Sequence, residues 1–124
     1  MRRVVVTGMG LTTPLGNGVD VNWKRLTSGV VGINKIENFD VSDLPCKIAG
    51  QVPNISNDPE GGLDIDQWIE PRENKRIDRF ISYGIISAIQ AIEDSGWKPQ
   101  TENQKNKTGV ILGSGIGGLE TIAN

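Results

Sequence analysis

The chain carries few groups able to do covalent chemistry. It has no histidine and one cysteine, Cys46, so the commonest general base, which is also the usual activator of a serine or cysteine nucleophile, is missing. A lone thiol between Pro45 and Lys47 is more often a small apolar filler, although a nearby cation can lower its pKa. An internal disulfide and a cysteine–histidine zinc site are excluded. What remains is binding chemistry, and two stretches could carry it.

The first runs from Thr108 to Leu119, TGVILGSGIGGL. Glycine at 113, 115, 117 and 118 suits backbone that takes positive φ or approaches something closely, and Ile116 is the one large side chain among these glycines. The spacing also fits G-x-G-x-x-G after a strand, the dinucleotide fingerprint, but the acidic residue expected about 20 positions on would fall beyond residue 124. Gly8-Met9-Gly10 fits that pattern less well, because Pro14 and Gly16 occupy the place where a phosphate-binding helix should continue. The second stretch holds Arg72, Lys75, Arg76 and Arg79. On a helix turning about 100° per residue these four share an arc of roughly 100°. They are either a solvated face, with Glu73 and Asp78 as local partners, or a docking site for an acidic partner. Cations at a helix start oppose its dipole, which favours a reason beyond local electrostatics.

The elements that must position these residues follow from hydrophobic patterning. Val4–Val6 and Val110–Leu112 are apolar runs too short for helices, and both read as strands buried on two faces. Gly8-Met9-Gly10 reads as a tight turn, and LTTPLGNG as irregular chain. A helix is expected from Val19 to Ser28, stopped by Gly29, with Val19, Trp23 and Leu26 facing the core. From Gly29 to Glu70 periodicity is poor, and Lys47–Val52 is the best strand candidate in an ordered excursion. Pro71–Ser95 reads as one long helix ended by Gly96, its inner face marked by Ile77, Ile81, Gly84, Ile85, Ala88 and Ile92. A polar connector, WKPQTENQKNKT, leads to the second strand. Strand, helix, excursion, helix and strand imply a parallel pair in an α/β arrangement.

Totals set the remaining bounds. A length of 124 residues, a formal charge of −2 and a pI near 5.1 allow one domain or part of one, with no global attraction to nucleic acid or anionic membrane. No apolar stretch approaches the roughly 18 residues of a membrane span, and MRRVVVTGMG is too short in its apolar part for a secretory signal. A soluble cytoplasmic protein is expected. GSGIGGLETIAN stops as a new element begins, so a partial chain is expected too.

Four separated blocks, RRVVVTGMGLTTPLGN, RENKRIDRFISYGI, EDSGW and GVILGSGIGG, resemble in order the β-ketoacyl-acyl carrier protein synthases, most closely the type II branch of bacterial fatty acid elongation. The NDPEGGLDIDQW segment departs from that pattern in being longer and more acidic. The resemblance implies a thiolase-like fold of layered α/β halves, of which residues 1–124 form the first portion of the N-terminal half. It also implies a homodimer, no cofactor, and acyl and malonyl thioesters of acyl carrier protein as substrates. The reaction it implies needs a cysteine thiolate, an oxyanion hole and two histidines. None of these maps onto this chain, and Cys46 does not occupy the nucleophile's motif. Two features do map by resemblance: Arg72, Lys75 and Arg76 match the carrier-protein docking positions, and Ile116 matches a residue that lines and partly gates the acyl pocket. A polyketide ketosynthase, or a non-catalytic carrier-binding subunit, would share these motifs.

Overall fold

The computed structural model describes residues 1–123. Two compact units emerge, one spanning Leu11–Asp64 and the other joining Met1–Gly10 to the residues from Ile65 onward.

In the first unit, β1 (Thr12–Thr13) and β2 (Gly16–Asn17) form an antiparallel hairpin with Thr12 opposite Asn17. The expected irregular chain is thus a turn around Pro14 and Leu15, where proline presets φ and the Leu15 amide donates to Thr13 Oγ1 at 3.0 Å. Helix α1 (Val19–Thr27) ends at Ser28, and Gly29 follows at φ 73°, as expected. Its inner face is not the expected one. Trp23 is 66% exposed and Leu26 is also exposed, whereas Asn22 is buried. Asn22 Nδ2 donates to the carbonyls of Gly16 (2.9 Å) and Gly18 (2.7 Å), and its Oδ1 accepts from the Thr13 hydroxyl. The helix therefore turns a polar side toward the hairpin, because backbone carbonyls there need donors.

Arg25 continues that face, donating to the Leu15 carbonyl at 2.9 Å and to both carboxylate oxygens of Asp58. Gly61 packs so closely beneath that a Cβ on it would lie 2.5 Å from Val21 Cγ1 and 2.8 Å from an Arg25 guanidinium nitrogen. Strands β3 (Ile33–Lys35) and β4 (Ile48–Gly50) pair antiparallel, with Asn34 opposite Ala49. Strand β4 falls inside the expected 47–52 segment. Val41 and Leu63 are the buried apolar residues of this unit.

Hydrogen bonding to Arg25 holds the Asp58 carboxyl below its ordinary range. A depressed folded-state value contributes stability that is present above the unfolded value, about 3.9 for aspartate, and is lost as pH falls through the folded value. Asp58→Asn should therefore cost about 1.5–3 kcal/mol at pH 7, the range for a charge-assisted hydrogen bond. In urea denaturation the gap to wild type should close in acid below about pH 4. A gap of equal size at pH 7 and pH 3 would refute the assignment.

The second unit begins with a segment packed on a helix. Residues 71–95 do not form the single expected helix. Helix α2 (Pro71–Asn74) stops with Lys75 as its C-cap, and α3 (Arg79–Ser95) starts after Asp78, whose ψ of 152° is extended. The isoleucine spacing runs through Ile77, but the backbone breaks there. Ser82 Oγ donates to Asn74 Oδ1 at 3.0 Å across the break. Gly96 closes α3 at φ 62° in the left-handed C′ position expected for it.

The buried positions of α3 are Ser82 and Ile86, whereas Ile81, Ile85 and Ile92 of the expected inner stripe are exposed. The reason lies in Gly8-Met9-Gly10, which is no turn but lies along α3. A Cβ on Gly8 would sit 2.3 Å from the Ala91 carbonyl oxygen and 2.5 Å from the Ser95 amide; one on Gly10 would sit 1.9 Å from the Ser87 carbonyl oxygen. Ser87, Ala91 and Ser95 form a row of small residues one turn apart, low enough for glycine backbone to seat against it. The Met9 amide adds a 2.9 Å bond to Asp94 Oδ2.

The expected parallel pair is absent among the described residues, where the two ladders are the antiparallel β1–β2 and β3–β4. Val4 is 94% and Ile111 97% exposed, and their neighbours are similarly bare. A strand exists only with a partner, and no described segment pairs with either run. The polar connector contains α4 (Glu102–Asn106), begun by a capping box in which Thr101 and Gln104 satisfy each other's backbone amides. Helix α5 (Leu119–Ala123) follows the glycine loop. No helix among the described residues is long and apolar enough to cross a membrane.

Candidate functional site

Arg72, Lys75 and Arg76 are all exposed. They do not share one helical arc, because the helix ends between them. Lys75 and Arg76 lie past the C-terminal end of α2, with the Lys75 amide bonded to the Pro71 carbonyl at 3.3 Å and the Arg76 amide to the Glu73 carbonyl at 2.9 Å. A helix end tolerates cations, so the dipole cost expected of a helix start does not arise for Lys75 and Arg76, whereas Arg79 opens α3. Among the described residues the ion pairs are Arg25–Asp58 and Lys105–Glu102, and neither engages these three. The local partners considered for them do not take that role: Asp78 Oδ1 accepts from Thr121 Oγ1 at 2.6 Å instead. Arg79 differs from the three in lying close to Tyr83, whose phenol is pushed up by burial against the opposing influence of that guanidinium.

The loop from Gly113 to Gly118 carries Ile116 at 85% exposure, so this side chain does not plug the core of the unit. Its neighbours are anchored. A Cβ on Gly117 would fall 2.7 Å from ring atoms of Phe80, and one on Gly118 would fall 2.7 Å from Asp78 Oδ2, with Gly118 itself at φ 71°. Asp78 and Phe80 thus bind the base of the loop on one side and follow the cationic turn after Ile77. Sequence reasoning missed Phe80 and Thr121, and placed Asp78 beside the cations rather than against the loop. The adjacent pair Gly117-Gly118 was the available signal, since consecutive glycines mark a place where another group comes close to the backbone.

Cys46 is exposed and its thiol donates to the Ile48 carbonyl at 3.3 Å. No group of three or more metal-ligating side chains occurs among the described residues.

The β-ketoacyl synthase N-terminal domain matches residues 1–124. The chain is 45% identical over 124 residues to 3-oxoacyl-[acyl-carrier-protein] synthase 2 of Rhizobium meliloti (strain 1021), covering 100% of this chain and 29% of the relative. It is 46% identical over 121 residues to the synthase 2 of Vibrio cholerae (serotype O1), covering 98% of this chain and 27% of the relative. A mitochondrial 3-oxoacyl-[acyl-carrier-protein] synthase of Arabidopsis thaliana is 39% identical over 95% of this chain and 28% of its own. Among solved structures, the ishigamide ketosynthase/chain length factor superposes with a TM-score of 0.64 at 28% identity, over 83% of this chain and 23% of that one. The chain therefore spans less than a third of the length of these relatives. The layered α/β fold expected of it is that of a ketosynthase, and the chain belongs to the β-ketoacyl synthase family, whose N-terminal domain it matches from end to end.

Proposed function

We propose that these residues are the N-terminal part of a 3-oxoacyl-acyl carrier protein synthase of fatty acid elongation, the first portion of a thiolase-like half. The complete enzyme moves an acyl group from carrier protein to a cysteine thiolate, releases CO₂ from malonyl-carrier protein, and joins the resulting carbanion to the acyl thioester. The nucleophile and the two histidines lie outside residues 1–124. The reading includes a cytoplasmic homodimer that needs no cofactor. Its support from the structure is a single observation: Arg72, Lys75 and Arg76 are exposed without an ion-pair partner among the described residues. They precede Asp78 and Phe80, which contact the glycines after Ile116, and an acidic carrier protein is the partner such a cluster would attract.

The test is the condensation itself. The complete protein, given acyl- and malonyl-carrier protein, should release CO₂ and form the β-ketoacyl product; failure to do so overturns the reading. Ile116→Phe in that enzyme should shorten the longest acyl chain accepted, because filling an apolar pocket excludes terminal methylenes at about fourfold in kcat/KM for each one. An unaltered chain-length profile would refute the pocket role of Ile116. A second reading, a polyketide ketosynthase, is supported by the solved neighbour named as a ketosynthase/chain length factor. Successive condensations on one primer would favour it, whereas carrier-protein binding without condensation would favour a non-catalytic subunit.

A further inference from the structure

Ile116 can set an acyl-chain limit only if its backbone is held, and four glycines surround it. Free glycine backbone does not hold a gate in one place. The constraint comes from the break between α2 and α3. Phe80 presents its ring to Gly117, with three ring carbons 2.7–2.8 Å from where a Cβ would stand. Asp78 reaches past Gly118 with one carboxylate oxygen, while the other accepts from the Thr121 hydroxyl at 2.6 Å at the start of α5. The three contacts bracket the two residues that follow Ile116, and all involve Asp78 or Phe80, within four positions of the cationic turn at 72–76.

We propose that Phe80 and Asp78 are positioning residues for Ile116, fixing the loop backbone so that the acyl-chain limit depends on them as well as on the isoleucine. This rests on the pocket role assigned to Ile116 above. Phe80 sets the distance, since a ring seated on a glycine leaves no slack, and Asp78 sets the direction by tying the loop's exit to Thr121. No chemistry passes through either residue, and neither need touch substrate.

The test uses the complete enzyme and acyl-carrier substrates of graded length, read as the ratio of kcat/KM for long over short chains. A purely structural defect lowers all lengths alike and leaves the ratio where it was. Phe80→Ala should change the ratio about fourfold, the equivalent of one methylene of apolar burial. Gly117→Ala should change it as well, and the double variant Phe80→Ala/Gly117→Ala should return toward wild type, because the added methyl then occupies space vacated by the ring. Thr121→Val, which removes only the hydroxyl bond to Asp78, should move the ratio in a protein whose packing is otherwise intact, so a failure of Phe80→Ala to fold leaves the test in place. If Ile116→Phe shifts the ratio while Phe80→Ala, Gly117→Ala and Thr121→Val do not, the positioning role is overturned and the pocket role stands. If Ile116→Phe also leaves the ratio unchanged, both fall.

Discussion

Replacing Gly10 by valine is expected to be the most damaging single substitution in the chain. The lost atom-width is not adjustable. A first carbon on residue 10 would lie 1.9 Å from the Ser87 carbonyl oxygen, 2.8 Å from Gln90 Cβ and 2.9 Å from the Ala91 amide nitrogen. Two of these three atoms belong to the backbone of α3, which cannot step aside without breaking its own hydrogen bonds, so the segment must lift off the helix. Overpacking alone costs about 1–3 kcal/mol, and separating the Met9 amide from Asp94 adds about 1.5–3 kcal/mol for a hydrogen bond to a charged group. A loss of about 2.5–6 kcal/mol follows, enough to remove a large part of a typical domain's stability. The measurement is soluble yield with the thermal midpoint, compared with Gly84→Ala on the same helix. A Cβ on Gly84 meets nothing within 4 Å, and alanine there should be neutral or better because glycine is a poor helix former. Equal behaviour of the two variants would show that residues 8–10 do not sit on α3.

Reversing three charges should have the largest functional effect. Arg72→Glu/Lys75→Glu/Arg76→Glu is expected to raise KM for acyl-carrier protein about 100-fold at low ionic strength in the complete enzyme, because each site changes from attracting to repelling an acidic partner. The side chains are solvent-exposed, so the difference should shrink as added salt shortens the Debye length from about 30 Å at 0.01 M to about 8 Å at 0.15 M. A small acyl thioester without the protein carrier should feel the substitutions far less. Arg79→Glu serves as comparison, since that guanidinium is engaged with Tyr83 and its loss should weigh on the helix more than on the partner. A triple variant with wild-type KM at every salt concentration would remove the main support for carrier docking here.

Local signals in the sequence were readable where a single residue forces the backbone. Gly29 and Gly96 take left-handed conformations at the ends of α1 and α3, and both helix ends were legible for that reason. The capping box T-x-x-Q at Thr101 was equally explicit, yet it lies in a stretch so polar that a five-residue helix was passed over. Periodicity misled where it crossed a backbone break: Ile77 and Ile81 keep helical spacing, but Asp78 between them is extended. The inner faces were misjudged for another reason. Apolar residues were assigned to the core of α1 and α3, whereas close approach of backbone selected Asn22 in one helix and small residues in the other. The apolar runs at 4–6 and 110–112 read as strands from composition alone, but pairing belongs to two segments and neither run finds its complement among the described residues.

For the candidate site, the three cations were legible as a cluster and as a resemblance, but not as a turn beyond a short helix. Ile116 was legible because it stands alone among glycines. Its anchors were not, because Asp78 and Phe80 lie some 36 or more positions upstream of it and ordinary helix grammar accounts for both.

The bare valines at 4–6 and the Val-Ile-Leu run at 110–112 also bear on how the polypeptide survives its own synthesis. Uncovered aliphatic β-formers are what self-association begins from and what holdase chaperones grip. While they stay uncovered, self-association competes with any pairing of these runs, so a holdase chaperone is expected to raise the soluble yield of these residues.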